Sequence, residues 1–449
     1  MRPIVISLLL VVGVGFVPAE NVLQSQPKSP VFLYTVAKSY EPSAWSEGGE
    51  RFPSGAAIFV RDARGQHPLI ANFAASADPA VSFDGKSVLF AGKQTARDSW
   101  QVWEISLAGG DPKRITNCSQ DCVRPFYLPE GRVVYGEKID GRFVVQTQAL
   151  SGSQPLPLTY GPGSSLPDDV LQDGRILFET SFPLGVKGHS ELYTVYSDGS
   201  GVEAYRCDHS QARHSAKQVS SGDIVFPAEH GLSRFTSALA KDVRIPAPAG
   251  EYAGDLAETA SNQWLLPWRA NGNEKFQLMW WKPGQGNLRP AVQVADSHVI
   301  QPVLVAERST PKRHPSALHD WTFGNLLCLN AYTSKYKFAS ASIHSARIYT
   351  RDEAGGAELL GSAPVEADGS FFVQVPGDRP LQIELLDGAG RTLQREAGWY
   401  WLRRGEQRAC VGCHAGPETA PENAVPMVLL KSTTPVAMTG AASHSSGGH

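Results

Sequence analysis

Residues 410–414 read Cys410-Val411-Gly412-Cys413-His414. Two thiols three positions apart, with an imidazole next in line, suit the covalent attachment of c-type haem. Each thiol adds across one vinyl group of the porphyrin, so the pair must lie about a helical turn apart. His414 then falls beneath the iron as the proximal ligand. A thioredoxin-like pair would need a βαβ setting, which is missing here. A zinc site would need two more ligands at short spacing, and none follows. The motif predicts one covalently attached haem c, held by Cys410 and Cys413.

The opposite face of the iron has several candidates: His209, His214, His298, His314, His319, His344, Met427 and Met438. Met427 comes only 13 residues after His414, and the segment is too short to wrap a haem alone. Another part of the chain must cover it. His209 and His214 flank the start of a repeat unit, and His214 is the first expectation, with His209 next and His319 and Met427 as alternatives. The approach to the motif, Gly398-Trp399-Tyr400-Trp401-Leu402-Arg403-Arg404 through Arg408, carries aromatics that either line a haem or plug a sheet. Its arginines could pair with haem propionates. Cys118 and Cys122 lack a following His and are expected to form a local disulfide. For Cys207 and Cys328 a second bond and buried thiols remain equally open.

The elements that hold these residues are read from repeats. A strand, an Asp-Gly or Gly-containing turn and further strands recur, with turn glycines at 85, 131, 174 and 222, steps of 46, 43 and 48 residues. That period with short strands marks a β-propeller. Blades start near 78, 123, 166, 214 and 252. The strands at 31–36, 56–61 and 67–73 lack a first strand, and 299–306 lacks the rest of a blade. Together they close a sixth blade, giving a six-bladed propeller over 31–306. Residues 307–320 hold Pro311 and Pro315 and read as a linker. A small β-sandwich follows over 321–397, then a short irregular haem-binding segment over 398–440 and a Ser/Gly/His-rich disordered tail over 441–449. The fold class is all-β.

The chain has 449 residues, 43 of them Gly and 32 Pro, which favours turns over a helical bundle. With 41 basic and 44 acidic residues, no surplus of charge points to nucleic acid. Arg2 precedes a 14-residue apolar run, Ile4–Val17, too short to span a bilayer. Val17 and Ala19 precede a cut before Glu20, so residues 1–19 read as a secretory signal peptide. The expectation is an exported, periplasmic protein with no transmembrane anchor once the signal is removed. No GxSxG, HExxH, phosphate loop or dinucleotide fingerprint is present.

Two resemblances rest on these residues. The blade pattern Asp78-Pro79 to Phe83-Asp84-Gly85-Lys86 to Phe90, then Gly109-Gly110-Asp111-Pro112, resembles TolB-like propellers. The stretches Ala363-Pro364-Val365-Glu366-Ala367-Asp368-Gly369-Ser370-Phe371, Val375-Pro376-Gly377, Leu385-Leu386-Asp387-Gly388 and Gly405-Glu406-Gln407-Arg408 into the CxxCH resemble the hydrazine synthase alpha subunit family. The resemblance implies a propeller carrying c-type haem, with a C-terminal, six-coordinate, electron-transfer haem whose second His comes from the propeller. The chain lacks the family's second, catalytic CxxCH, so hydrazine synthesis is not implied. The reading is a monohaem cytochrome passing electrons to or from a docked redox partner. The alternatives are a haem enzyme with an open iron, of peroxidase-like or nitrogen-oxide chemistry, and a protein-binding propeller with a structural haem.

Overall fold

The computed structural model describes residues 30–181, 190–206, 212–229, 231–238, 240–334, 337–352, 355–396, 398–412 and 423–438. The segment 1–19 expected to be a signal peptide, Cys207, His209, Cys413, His414 and the tail 441–449 lie outside the described residues.

Six antiparallel sheets form the ring. One is built from Ala75–Val81, Ser87–Lys93, Gln101–Ser106 and Lys113–Arg114. The next three run in chain order from Cys122, Ser165 and Lys217. The fifth starts at Glu251, and its innermost strand is split into Glu251–Tyr252 and Ala257–Glu258. The last joins His298–Leu304 to Phe32–Ala37, Ala57–Asp62 and Gly65–Pro68. Late and early strands thus share one blade and close the ring, with Thr35 opposite Ile300. Closure leaves no free inner edge at the seam. Second strands such as Val88–Ala91 and Val133–Tyr135 are buried on both faces, because each blade packs between two neighbours.

The inner strands share a defect. Register shifts lie at Ala77/Ala80, Val123/Phe126, Pro167/Asp169 and Leu33/Thr35. At or near the same level Asp78, Arg124, Ser215, Asp255 and Gln301 adopt positive φ of 49° to 57°. A bulge bends a strand and re-aims its side chains, here toward the axis of the ring.

Residues 307–315 pass beneath the hairpin turns. Arg308 N–H donates to Phe83 O, Lys312 N–H to Gln172 O, and the His314 ring stacks on Tyr196 at 3.6 Å. Gly174 (φ +90°) has Lys312 O 1.9 Å from where a Cβ would sit, so only glycine fits. The segment is a strap along three blades.

The second domain is two four-stranded sheets, with cores meeting at Leu326, Ile348, Phe371 and Leu385. The expected boundary at 398 does not hold. Gln407–Cys410 pairs in parallel with Phe323–Cys328, and Val436–Ala437 pairs in parallel with Phe371–Pro376. The segment expected to be irregular thus supplies both edges of one sandwich sheet, plus a short helix at Met427–Lys431. A further strand, Ala357–Pro364, had no counterpart in the sequence reading.

Candidate functional site: the CxxCH end of the sandwich and the propeller hub

The approach to the motif joins the two domains. Trp401 is 3% exposed and sits in the core between two blades, near Phe178 and Tyr160. Tyr400 packs on the sandwich core instead. These two aromatics therefore plug apolar layers. Arg403 donates to Tyr160 Oη, to Asp378 Oδ1 (2.5 Å) and to Asp198 O (3.0 Å). Gly201 N–H donates to Glu406 Oε1 at 3.0 Å. Gly405 (φ +78°) lies against the backbone of His319, where a Cβ would meet its oxygen at 1.8 Å. Arg403 and Arg404 are both tied to Asp378.

These clamps place Gln407–Cys410 as an edge strand whose last residue is Cys410. Directly opposite stands Cys328, 1% exposed, and beyond it Phe371, so one row reads Cys410, Cys328, Phe371. The Cys410 thiol is half-buried, donates to Gly412 O at 3.1 Å and is hydrogen-bonded to the Cys328 thiol. That bond, opposed by burial and helped by a backbone hydrogen bond of Gly412 and by Arg408, brings it down to about 7. Arg408, on the same face as Cys410, donates from one nitrogen to Val202 O, while its buried Nη1 has no partner among the described residues.

Met427 belongs to the same end. Its N–H donates to Asp368 Oδ2 at 2.7 Å, and Val428 N–H to Ser370 Oγ at 3.0 Å. Ser370 adjoins Phe371, two strands from Cys410, about 10 Å by strand spacing. The loop 330–333 closes the same end, with Thr333 O and Asn330 O against Gly412.

The other ligand candidates go elsewhere. His214, favoured from the sequence, lies beside the hub of the ring, where burial, opposed by Asp255 and reinforced by Arg124, lowers its pKa. Among the described residues nothing links it to 398–412. His298 stacks near Tyr40 and Phe276, and burial together with Lys275 and Arg269 brings it down to about 4. Met438 is buried against Gly361 in the sandwich core. His344 lies under Gly388. His319 is anchored by its N–H to Gly405 O, five residues before Cys410, about 16 Å along the strand. Cys118 and Cys122 form the expected disulfide.

The hub was not singled out from the sequence. Its bulges aim Asp78, Arg124, Asp168, Asp255 and Gln301 at one another. Asp78 accepts from Arg51 (2.5 Å), Arg124 N–H (3.0 Å) and Gln301 (2.6 Å). Arg124 spans Asp168 (2.7 Å) and Asp255 (3.2 Å). Burial raises Asp78, but Arg51 and Arg124 outweigh it and hold the carboxyl below its ordinary range. Burial pushes Asp168 up to about 6, against the pull of Arg124, and pushes Glu179 well above its ordinary value, with Asp168 adding to the rise. One mouth is stoppered by residues 38–55, where Tyr40, Trp45 and Phe52 pack on Trp100, Phe143 and Phe276. The other opens as a shallow pocket lined by Asp78, Arg124, Lys217, Asp255 and Gln301. The repeated Asp78-Pro79, Arg124-Pro125 and Gln301-Pro302 steps were the available signal.

A six-bladed propeller strapped to a β-sandwich, one edge strand of which ends at the first cysteine of the CxxCH, defines the class of this chain. Residues 333–415 match the model of the hydrazine synthase alpha subunit middle domain. Hydrazine synthase subunit alpha of Kuenenia stuttgartiensis is 30% identical over 84 residues, 19% of this chain and 10% of that protein. The solved hydrazine synthase of Kuenenia stuttgartiensis superposes with a TM-score of 0.76 at 17% identity, over 90% of this chain and 72% of that one. TolB from Acinetobacter baumannii superposes with a TM-score of 0.44 at 15% identity, over 63% of this chain and 67% of that one. The chain thus resembles the hydrazine synthase alpha subunit, and it shares the fold. The matched portion is a middle domain.

Proposed function

We propose that this chain is an exported, periplasmic c-type cytochrome with one haem, working in electron transfer with a redox partner protein. Cys410 and Cys413 would hold the haem and His414 would be its proximal ligand. The observation that carries the reading is the arrangement around Cys410. Its thiol ends a strand clamped by both domains, and on the same face one buried Arg408 guanidinium nitrogen has no partner among the described residues. A haem propionate is a fitting acceptor for that nitrogen. When bound, the haem would supply one-electron chemistry, and the chain's own residues would fix its position. Arg403 and Glu406 lock the sandwich to the propeller, so the motif rides on a rigid support.

For the sixth ligand we propose Met427 in place of His214. The Asp368 and Ser370 side chains hold its helix at the same end of the sheet as Cys410. Met opposite His raises the potential relative to a bis-His pair. The test is the ferric spectrum of the full chain and of Met427→Ala. The long-wavelength charge-transfer band of Met-ligated haem is expected in the parent and lost in the variant. Carbon monoxide binding to the native reduced parent would instead favour the open-iron enzyme. The hub pocket is the feature that favours a binding module. Partner capture that survives Cys410→Ala and fails in Lys217→Ala would support that second reading.

A further inference from the structure

The third thiol at the motif has no part in haem attachment. Cys328 faces Cys410 directly across a parallel strand pair. Adjacent strands lie about 4.8 Å apart, within the Cα separations a disulfide spans, about 4.4–6.8 Å. The two thiols are already in hydrogen-bond contact. Gln407–Cys410 is an edge strand, so its end can adjust toward the neighbour without breaking a pairing on its far side.

We infer that Cys328 and Cys410 form a reversible disulfide in the chain before haem is attached, withholding Cys410 from the porphyrin until a reductant opens the bond. The consequence for haem rests on the reading above; the bond itself does not. Its chemistry follows from exposure. Cys410 is part-exposed and its thiol is acidified, so it is the attacking group. Its thiolate attacks an external disulfide, R–S–S–R, forming Cys410–S–S–R and releasing one R–S⁻. Cys328, too buried for an external partner, then gives up its proton, attacks the Cys410 sulfur and expels the second R–S⁻. Two protein thiols lose two electrons and two protons, and one external disulfide becomes two thiols. A dithiol reverses the sequence. An exported protein meets an oxidising compartment, so the oxidant is of the disulfide class found there.

Three cysteines compete, since Cys410 can also pair with Cys413 within the motif. Trypsin separates the outcomes, because Cys328 falls in peptide 314–335 and Cys410 with Cys413 in peptide 409–431. The experiment takes the full chain made without haem attachment and equilibrates it with oxidised and reduced glutathione. A linked 314–335/409–431 pair is expected on the oxidised side. It should persist in Cys413→Ala and vanish in Cys410→Ala, and dithiothreitol should remove it. In haem-loading assays without reductant, Cys328→Ala and the bulkier Cys328→Val are expected to gain several-fold in covalent haem over the parent. Either variant suffices should the other fold poorly. A 409–431 peptide lighter by two hydrogens with no linked pair at any glutathione ratio overturns the inference. So does a linked pair that survives in Cys410→Ala. If the linked pair forms but no variant ever retains covalent haem, the bridge stands and the haem reading falls.

Discussion

The hub of the propeller and the CxxCH end of the sandwich both bury polar groups, but they treat them in opposite ways. In the hub Arg51, Arg124 and Lys217 stand against Asp78, Asp168, Glu179 and Asp255, and the chain supplies the partners, Arg51 Nη1 apart. At the sandwich end, a four-residue edge strand carries Cys410, facing the Cys328 thiol, and Arg408, whose buried Nη1 has no partner among the described residues. Cations and carboxylates that answer one another within the chain tie blades together; a guanidinium nitrogen beside a thiol pair, with no carboxylate facing it among the described residues, suits an anionic group from outside. The contrast separates a structural charge cluster from a candidate cofactor site, although the hub holds more charge.

The largest expected effect that sharpens this contrast is on the hub. Arg124→Ala strands Asp168 and Asp255 without their cation and should cost about 3–5 kcal/mol in urea unfolding. A loss below ~1 kcal/mol would mean that solvent reaches the cluster. Next in size is the docking arginine. Arg403→Ala removes the link from Asp378 to Tyr160 and should cost about 1–3 kcal/mol, seen as earlier melting of the sandwich; an unchanged melt would deny Arg403 its clamping role.

A smaller effect is in pH. Asp168 and Glu179 have folded pKa values raised above their unfolded ones, so the folded state binds their protons more tightly. Their contribution is most favourable below the unfolded carboxylate range, ~4, and declines as pH rises through about 6 for Asp168. Glu179→Gln should flatten the fall in stability on the alkaline side of that window. An unchanged slope would remove Glu179 from the account. The smallest effect belongs to the sandwich end, where Arg408→Gln should leave folding nearly unchanged and weaken haem retention on denaturation. Equal retention would show that Arg408 does not meet the propionate.

Much of the ring was legible before the structure. Gly85, Gly131, Gly174 and Gly222 all take positive φ at hairpin turns, a need that sequence displays openly. The seam was legible because an orphan strand at one end matched a short blade at the other. The hub charges were not, since Arg124 and Asp255 are 131 residues apart and meet only when the ring closes. The edge strand Gln407–Cys410 escaped for a similar reason. It is four residues long, carries no alternation, and pairs with a strand some 80 residues earlier, Asn325 opposite Gln407. The bet on His214 followed from its place at a blade start, but blade starts in this ring face the axis, away from the docked sandwich.

Haem content of the purified full chain tests the central claim most directly. After acid–acetone extraction the account predicts one haem per chain still attached, and none in the Cys410→Ala, Cys413→Ala double variant. Haem extracted freely from the parent, or retained by the double variant, would contradict it.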